Sequence, residues 1–542
     1  MTGSARWPAP TTVGHDLRRA GTRSVRRTAV ALAEVAVSVI AAAALVALGR
    51  LLRLNPVQRT DQVSGLAAIQ LRLLLLLAAT VLLYLVLSRA WPGAAVRISA
   101  AAVAGLATGV TAAGSVVALR GTDWPLYANL GDAGNLQRWA YAVIDGGAFP
   151  KEYPPGFPHL LADTARILFD GDVPKAMKWL MIAFVAFTGP IAYLAWRLLL
   201  PPLWALGIGV TSTLPLVDPY KAYPAVSLIV LIPVLAKLVE VVQRSSELGR
   251  KRALAMGGGL GGLLAAAFLL YAGWFVWSSV GVVVLFAVVL VRLGRSGGRR
   301  ALAEGLLVLG TAAGVFLVLA GSYLANLLAA GGTTKDTYFY FDTSTDPSYF
   351  AMWGGSFPGP QRTVGWPPLG ELGGVGLFSI VLVTGLGAAL ALGSRRPAVL
   401  TLAACTASAF LLRYWYASHM ARDQAVQLYP RTSAQILYCL IALTGTAVFL
   451  ACRRLHGRGR TDGDALPAAD LRQDGHRTRA VVVGALCAMG LLFGMAGSAT
   501  ANAYMPQEPG AGTNGQLSWT SHNVRMPDGT CPKYAEGGRC AS

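Results

Sequence analysis

Apolar runs of about 20 residues recur along the chain with short polar intervals between them, the length that carries a helix across a ~30 Å hydrocarbon core. In order, the runs predict about thirteen spans: 28–48, 71–88, 98–119, 176–196, 203–217, 223–243, two within 253–293 that part near Gly273–Ser278, 302–330, 374–393, 397–413, 433–452 and 480–498. The 203–217 run is short and also fits a re-entrant segment. The expected fold class is an all-α polytopic membrane protein. A basic segment, 1–27, precedes a membrane domain, 28–498, and a polar tail, 499–542, follows it. Long polar loops at 120–175, 331–373 and 414–432 fall on one side of the membrane, and a linker at 453–479 on the other.

Composition agrees with that pattern. The chain is 54% hydrophobic and 13% charged, against about 25% charged in soluble domains. A net charge of +20 could signal nucleic acid. The cations instead collect in alternate short loops, at Arg18–Arg27, Arg250–Arg252, Arg292–Arg300, Arg395–Arg396 and Arg453–Arg479. This positive-inside pattern puts the N-terminus in the cytoplasm, and an odd number of spans leaves the C-terminal tail outside. The first 27 residues hold six arginines and no apolar core, so no cleavable signal peptide is expected. Gly257–Gly262 (GGGLGG) fits close helix packing and lacks the Lys and Ser or Thr of a phosphate loop. Cys405, Cys439, Cys452 and Cys487 read as packing residues. Cys531 and Cys540, in a tail expected outside the cell, read as a disulfide.

Candidate chemistry lies in the outer loops. The first, Gly121–Pro158, carries Asp123, Asp132, Arg138, Trp139 and Tyr153. A carboxylate held at the membrane face can act as general base toward a sugar hydroxyl whose donor is anchored in the bilayer. Asp132 is the first choice and Asp123 the reserve. Gly131-Asp132 ahead of a helical stretch also fits an N-cap. The amphipathic run Leu136–Ile144 fits a helix lying on the membrane surface. Tyr153-Pro-Pro-Gly-Phe-Pro158 reads as a stiff corner. The second segment is the turn Asp218–Tyr223, where Lys221 can meet a phosphate or cap a helix end. The third, Arg413–Arg431, holds Arg413, His419, Arg422 and Arg431 among aromatics, suited to phosphate and sugar contacts or to interfacial anchoring. The three segments are expected to converge.

The loop at 331–373 adds Asp336, Asp342 and Asp346 with Tyr340 and Trp353, a carbohydrate-like composition without calcium-loop spacing. With no Cys/His cluster, no metal site and no cofactor are indicated. Glu34, Lys237 and Glu240 fall within spans, too few for a proton relay, which disfavours a secondary transporter.

The runs Gly131-Asp-Ala-Gly-Asn-Leu-Gln-Arg138 and Phe149-Pro-Lys-Glu-Tyr-Pro-Pro-Gly-Phe157 resemble the first large extracytoplasmic loop of the actinobacterial galactan 5-O-arabinofuranosyltransferases. The resemblance implies a GT-C-type helix bundle in the cell membrane. It implies transfer of arabinofuranose from a decaprenyl-phosphate donor to cell-wall galactan, with an extracytoplasmic active site and no nucleic acid partner. Asp132 would be the base. Arg138, Lys221, Arg413, Arg422 and Arg431 are the candidates for the donor phosphate, and Trp139, Tyr153, Tyr340, Trp353 and His419 for sugar and acceptor. The family ends in a sizeable extracytoplasmic domain where this chain has only a tail. The alternatives are a GT-C transferase for another polyprenyl-phosphate sugar or acceptor, and a glycolipid flippase or transporter.

Overall fold

The protein is described by a computed structural model covering residues 13–330, 376–423, 432–458, 470–508 and 514–541. Loop 331–373, with Tyr340 and Trp353, lies outside the described residues, as do Arg431 and the middle of the 453–479 linker. Among the described residues the regular structure is helical and contains no strand. A spanning chain must satisfy its backbone polar groups within itself, and helices do so.

Three helices open the chain: α1 (Val13–Arg50), α2 (Arg59–Ala90) and α3 (Pro92–Ala118). α3 is buried continuously from Ser99 to Ala118. Its Ala, Gly, Ser and Thr residues let neighbouring backbones come close. Gly109 is a case in point, since a Cβ there would lie 3.2 Å from the Ala42 backbone of α1. α4 (Gly131–Ile144) and α5 (Gly156–Leu168) are too short to span. α6 (Val173–Trp196), α7 (Pro202–Leu216), α8 (Ala222–Gln243) and α9 (Arg250–Leu270) follow. α7 combines α, π and 3₁₀ turns.

α10 (Gly273–Ala330) has 58 residues, or about 87 Å at 1.5 Å per residue, far beyond one bilayer. It turns at Gly298, whose φ of 69° is left-handed. Leu302 comes within 3.7 Å of a Cβ placed on Gly294, so the chain folds back and α10 is two packed segments. The remaining helices are α11 (Gly376–Gly393), α12 (Pro397–Asp423), α13 (Thr432–Arg458), α14 (Asp470–Ala503) and the short α15 (Gly515–Asn523). Ten helices among the described residues are long and apolar enough to cross a membrane, and α7 and α11 are shorter apolar helices.

The three charges expected within spans are paired. Glu34 of α1 is buried and bonded to Arg97 of α3, to the Tyr193 hydroxyl of α6 and to Arg197 beyond its end. Lys237 and Glu240 pair at 2.9 Å across one turn of α8. The glycine run of α9 packs closely, and a Cβ on Gly257 would lie 2.9 Å from the Val308 carbonyl oxygen of α10. Cys405 and Cys439 are buried and Cys452 and Cys487 half-buried. One expectation is corrected. The apolar face of Leu136–Ile144 does not lie on the membrane surface: Leu136 and Ala140 are fully buried with Phe157 and Leu161 of α5 and Met177 of α6. It is α5 that exposes apolar side chains, at Leu160, Ile167 and Leu168.

Candidate functional site

The site begins where α3 ends. Lys178 of α6 is buried and donates to the carbonyls of Leu119 at 2.9 Å and Thr122 at 2.6 Å, satisfying acceptors that the helix end leaves open. The next residues form a tight arch in which Tyr127 and Ala128 take φ of 68° and 53°. Non-glycine residues hold such angles only where their surroundings fix them. Here the Tyr127 N–H donates to the Leu517 carbonyl at 2.9 Å, and the Gln137 amide donates to the Ala128 carbonyl at 2.7 Å. Gly131 closes the arch at φ 53°, where a Cβ would sit 3.1 Å from both the Tyr220 hydroxyl and the Tyr127 ring. A side chain there would crowd both rings and sit in a strained left-handed backbone.

α4 then starts with Leu130 as its N-cap residue, which makes no side-chain cap. The N-cap alternative for Asp132 therefore does not apply. Asp132 lies in the first turn, where the helix dipole favours an anion. Its carboxylate meets the Lys221 ammonium at 2.6 Å, with the Asp132 side chain 52% exposed and the Lys221 side chain 23%. Lys221 occupies the N-cap position of α8 without capping it. Burial lowers the ammonium's pKa, but the Asp132 charge and the hydroxyls of Tyr153 and Tyr271 raise it, and the net shift is upward. Lys221 is therefore charged at any physiological pH. Tyr220, next to it, accepts the Ala133 N–H at 3.3 Å. Its own hydroxyl is pushed up to about 12, by burial first and then by Asp132.

Tyrosines form the wall of the pair. The hydroxyls of Tyr153 and Tyr223 lie 2.6 Å apart. Trp139 packs on Tyr153 with ring centroids 4.2 Å apart, and Phe157 stacks on Tyr223 at the same distance. Burial holds the Tyr153 hydroxyl above its ordinary pKa. The proline corner brings α5 against the end of α9, and a Cβ on Gly156 would lie 2.7 Å from the Leu269 carbonyl oxygen. The corner thus delivers Tyr153 to the site as well as turning the chain.

Other described candidates have partners of their own. Asp123 pairs with Lys175 at 3.7 Å, both about half exposed, as an ordinary surface pair. Arg413 is buried and donates to Thr432 at 3.2 Å and Ser433 at 2.9 Å, tying α12 to α13. His419 stacks on Trp415 of its own helix, and Arg422 pairs with neighbouring Asp423 at 2.7 Å. Of the three segments expected to converge, the first two meet at Asp132 and Lys221, and the cation beside Asp132 comes from the second. Arg138 lies on a different face of α4, where it bonds Asn135.

The tail reaches the same place. Cys531 and Cys540 are disulfide-bonded. Ser521 of α15 donates to the Pro125 carbonyl at 2.6 Å, Thr122 donates to the Ser521 carbonyl at 2.8 Å, and the Lys533 N–H donates to the Gly121 carbonyl at 2.8 Å. His522 is fully buried, bonded through Nε2 to the Ala118 carbonyl at 2.8 Å. The Tyr504 hydroxyl donates to Asp218 at 2.5 Å and so fixes the Lys221 turn from below. Sequence reasoning missed Lys178, Tyr220, Tyr223, His522 and the tail contacts. Lys178 was readable as a lysine inside an apolar run. The others are generic residues whose partners lie from 70 to 404 positions away.

No protein-family model matches the chain, and no curated protein matches it.

Proposed function

We propose that the chain is a GT-C-type membrane glycosyltransferase that moves arabinofuranose from a decaprenyl-phosphate donor to cell-wall galactan. In this reading it crosses the cell membrane thirteen times, N-terminus inside and tail outside. Ten long apolar helices, two short ones and the fold-back at Gly298 support the count, and the basic loops and tail disulfide support the orientation.

The observation that carries the reading is the contact of Asp132 with Lys221, an accessible carboxylate and a fixed cation brought together from two loops. A transfer from a lipid phosphate needs both. The acceptor hydroxyl gives its proton to Asp132. Its oxygen bonds the anomeric carbon as the bond from that carbon to the phosphate oxygen breaks. The phosphate leaves with the bonding electrons, and Lys221 stabilises its developing charge. Attack from the face opposite the leaving group inverts the anomeric centre. Tyr153 and Trp139 offer ring faces and a hydroxyl to the sugar.

Membranes containing the protein are supplied with polyprenyl-phosphoryl arabinose and a galactan acceptor. Asp132→Asn lowers transfer by about 10²–10⁴-fold, while Asp123→Asn stays within a few-fold of wild type. Near-normal transfer by Asp132→Asn removes the base. Transfer of a different sugar in a donor screen retains the chemistry and replaces the substrate.

A further inference from the structure

A cavity opens on another side of α4. It has a volume of about 660 Å³ and is lined by Trp124, Asn129, Asn135, Arg138, Tyr141 and Arg525, among others. Small-ligand sites run from about 300 to 1,000 Å³. At 100° per residue, Arg138 lies about 120° around the helix from Asp132, so the two face different spaces. The opposite wall is built by the tail at Arg525 and Pro527, with Pro174 of α6 beside it.

The chemistry of the lining is one-sided. Two guanidinium groups enter from different elements, three side-chain amides (Asn129, Asn135 and Gln137) accompany them, and no carboxylate is among the lining residues. The N-terminal turn of α4 borders the same space at Gly131 and Gly134 and adds the positive end of its dipole. Both arginines are held in place. Asn135 bonds Arg138. Arg525 donates from Nη1 to the Gly529 carbonyl at 3.0 Å, accepts the Trp124 indole N–H at its own carbonyl at 3.2 Å, and donates its N–H to the Ala541 carbonyl at 2.8 Å. The Cys531–Cys540 disulfide lies in this Arg525–Ala541 segment. The amide oxygens and the Tyr141 hydroxyl can also accept from a sugar, but the charged groups among the lining residues are the two guanidiniums. A donor-rich wall of fixed arginines selects oxyanions.

We infer that this cleft is an oxyanion site for a phosphate-class group, separate from the Asp132–Lys221 pair. The group can come from a lipid phosphate or from a soluble phosphate. The site does not depend on the transferase proposal, since binding is measured without turnover.

The full-length protein in nanodiscs is titrated with inorganic phosphate and, separately, with a short-chain prenyl phosphate, and binding is followed by ³¹P line broadening. Arg138→Gln and Arg525→Gln, both exposed positions, each weaken binding about tenfold or more. Prenyl phosphate binding at least tenfold tighter than inorganic phosphate assigns the site to a lipid phosphate. Equal affinities assign it to a soluble one. Either result supports the site. Binding that neither arginine substitution weakens, or no binding of either probe at 10 mM, overturns it.

Discussion

The seat of His522 makes the tail's attachment pH-dependent in a calculable way. The ring is fully buried. A carbonyl only accepts, so the bond to Ala118 puts the proton on Nε2. Nδ1 then has no hydrogen-bond partner among the described residues. Burial, and secondarily the Lys178 charge, push the imidazole down to about 4, against the partial opposition of the Ala118 bond. The docked tail holds His522 neutral, and the undocked tail binds a proton near 6.5. Docking strength is therefore complete above pH 6.5 and falls as pH drops toward 4. The gap from 6.5 to about 4, at ~1.4 kcal/mol per pH unit, is about 3 kcal/mol in all. From pH 6.5 to 5.5 the loss is about 1 kcal/mol, several-fold in the undocked population. The assay is hydrogen exchange at the Tyr127 and Lys533 amides, which donate across the tail contact, with rates corrected for intrinsic pH dependence. Protection falls several-fold to tenfold per pH unit below 6.5 in the wild type, and the profile flattens in His522→Gln. A flat wild-type profile, or an unchanged slope in the variant, refutes the assignment.

Three further predictions concern the frame. Lys178→Met leaves the Leu119 and Thr122 carbonyls without their buried donor and costs about 2–4 kcal/mol, read as a lower thermal midpoint in detergent. Glu34→Ala strands Arg97 and Arg197 in the bundle and costs about 3–5 kcal/mol; an unchanged midpoint would mean that water reaches the cluster. Gly257→Val drives a side chain toward the Val308 carbonyl and costs about 1–3 kcal/mol, whereas Gly259→Ala, which faces open space, leaves the midpoint unchanged.

How much could be read from the chain depended on the range of the interaction. Helices driven by apolar runs were legible because hydropathy is a local property, although the break between α9 and α10 falls at Tyr271–Ala272, just before the expected Gly273–Ser278. The disulfide followed from two cysteines in a polar tail expected outside the cell. Asp132 and Lys221 were each selectable as charges near apolar ends, but 89 positions separate them and nothing local announces their contact. Arg413 shows the converse. Its aromatic, cationic setting suited a ligand, while the structure uses it to tie α12 to α13. Tyr220 and Tyr223 look like ordinary interfacial tyrosines until the fold stands Gly131 and Tyr153 against them.

The tail's reach back to the first loop also governs when the site can exist. Thr122 takes its partner from a residue 399 positions later. During synthesis the arch at Tyr127 and Ala128 waits, with its backbone donors unfilled, until nearly the whole chain has left the ribosome. A product that stops after α14 would carry the apolar helices that insert into a bilayer and lack the contacts that shape the arch. Competence thus waits on the tail, and residues 515–541 act as a proofreading step on the first loop.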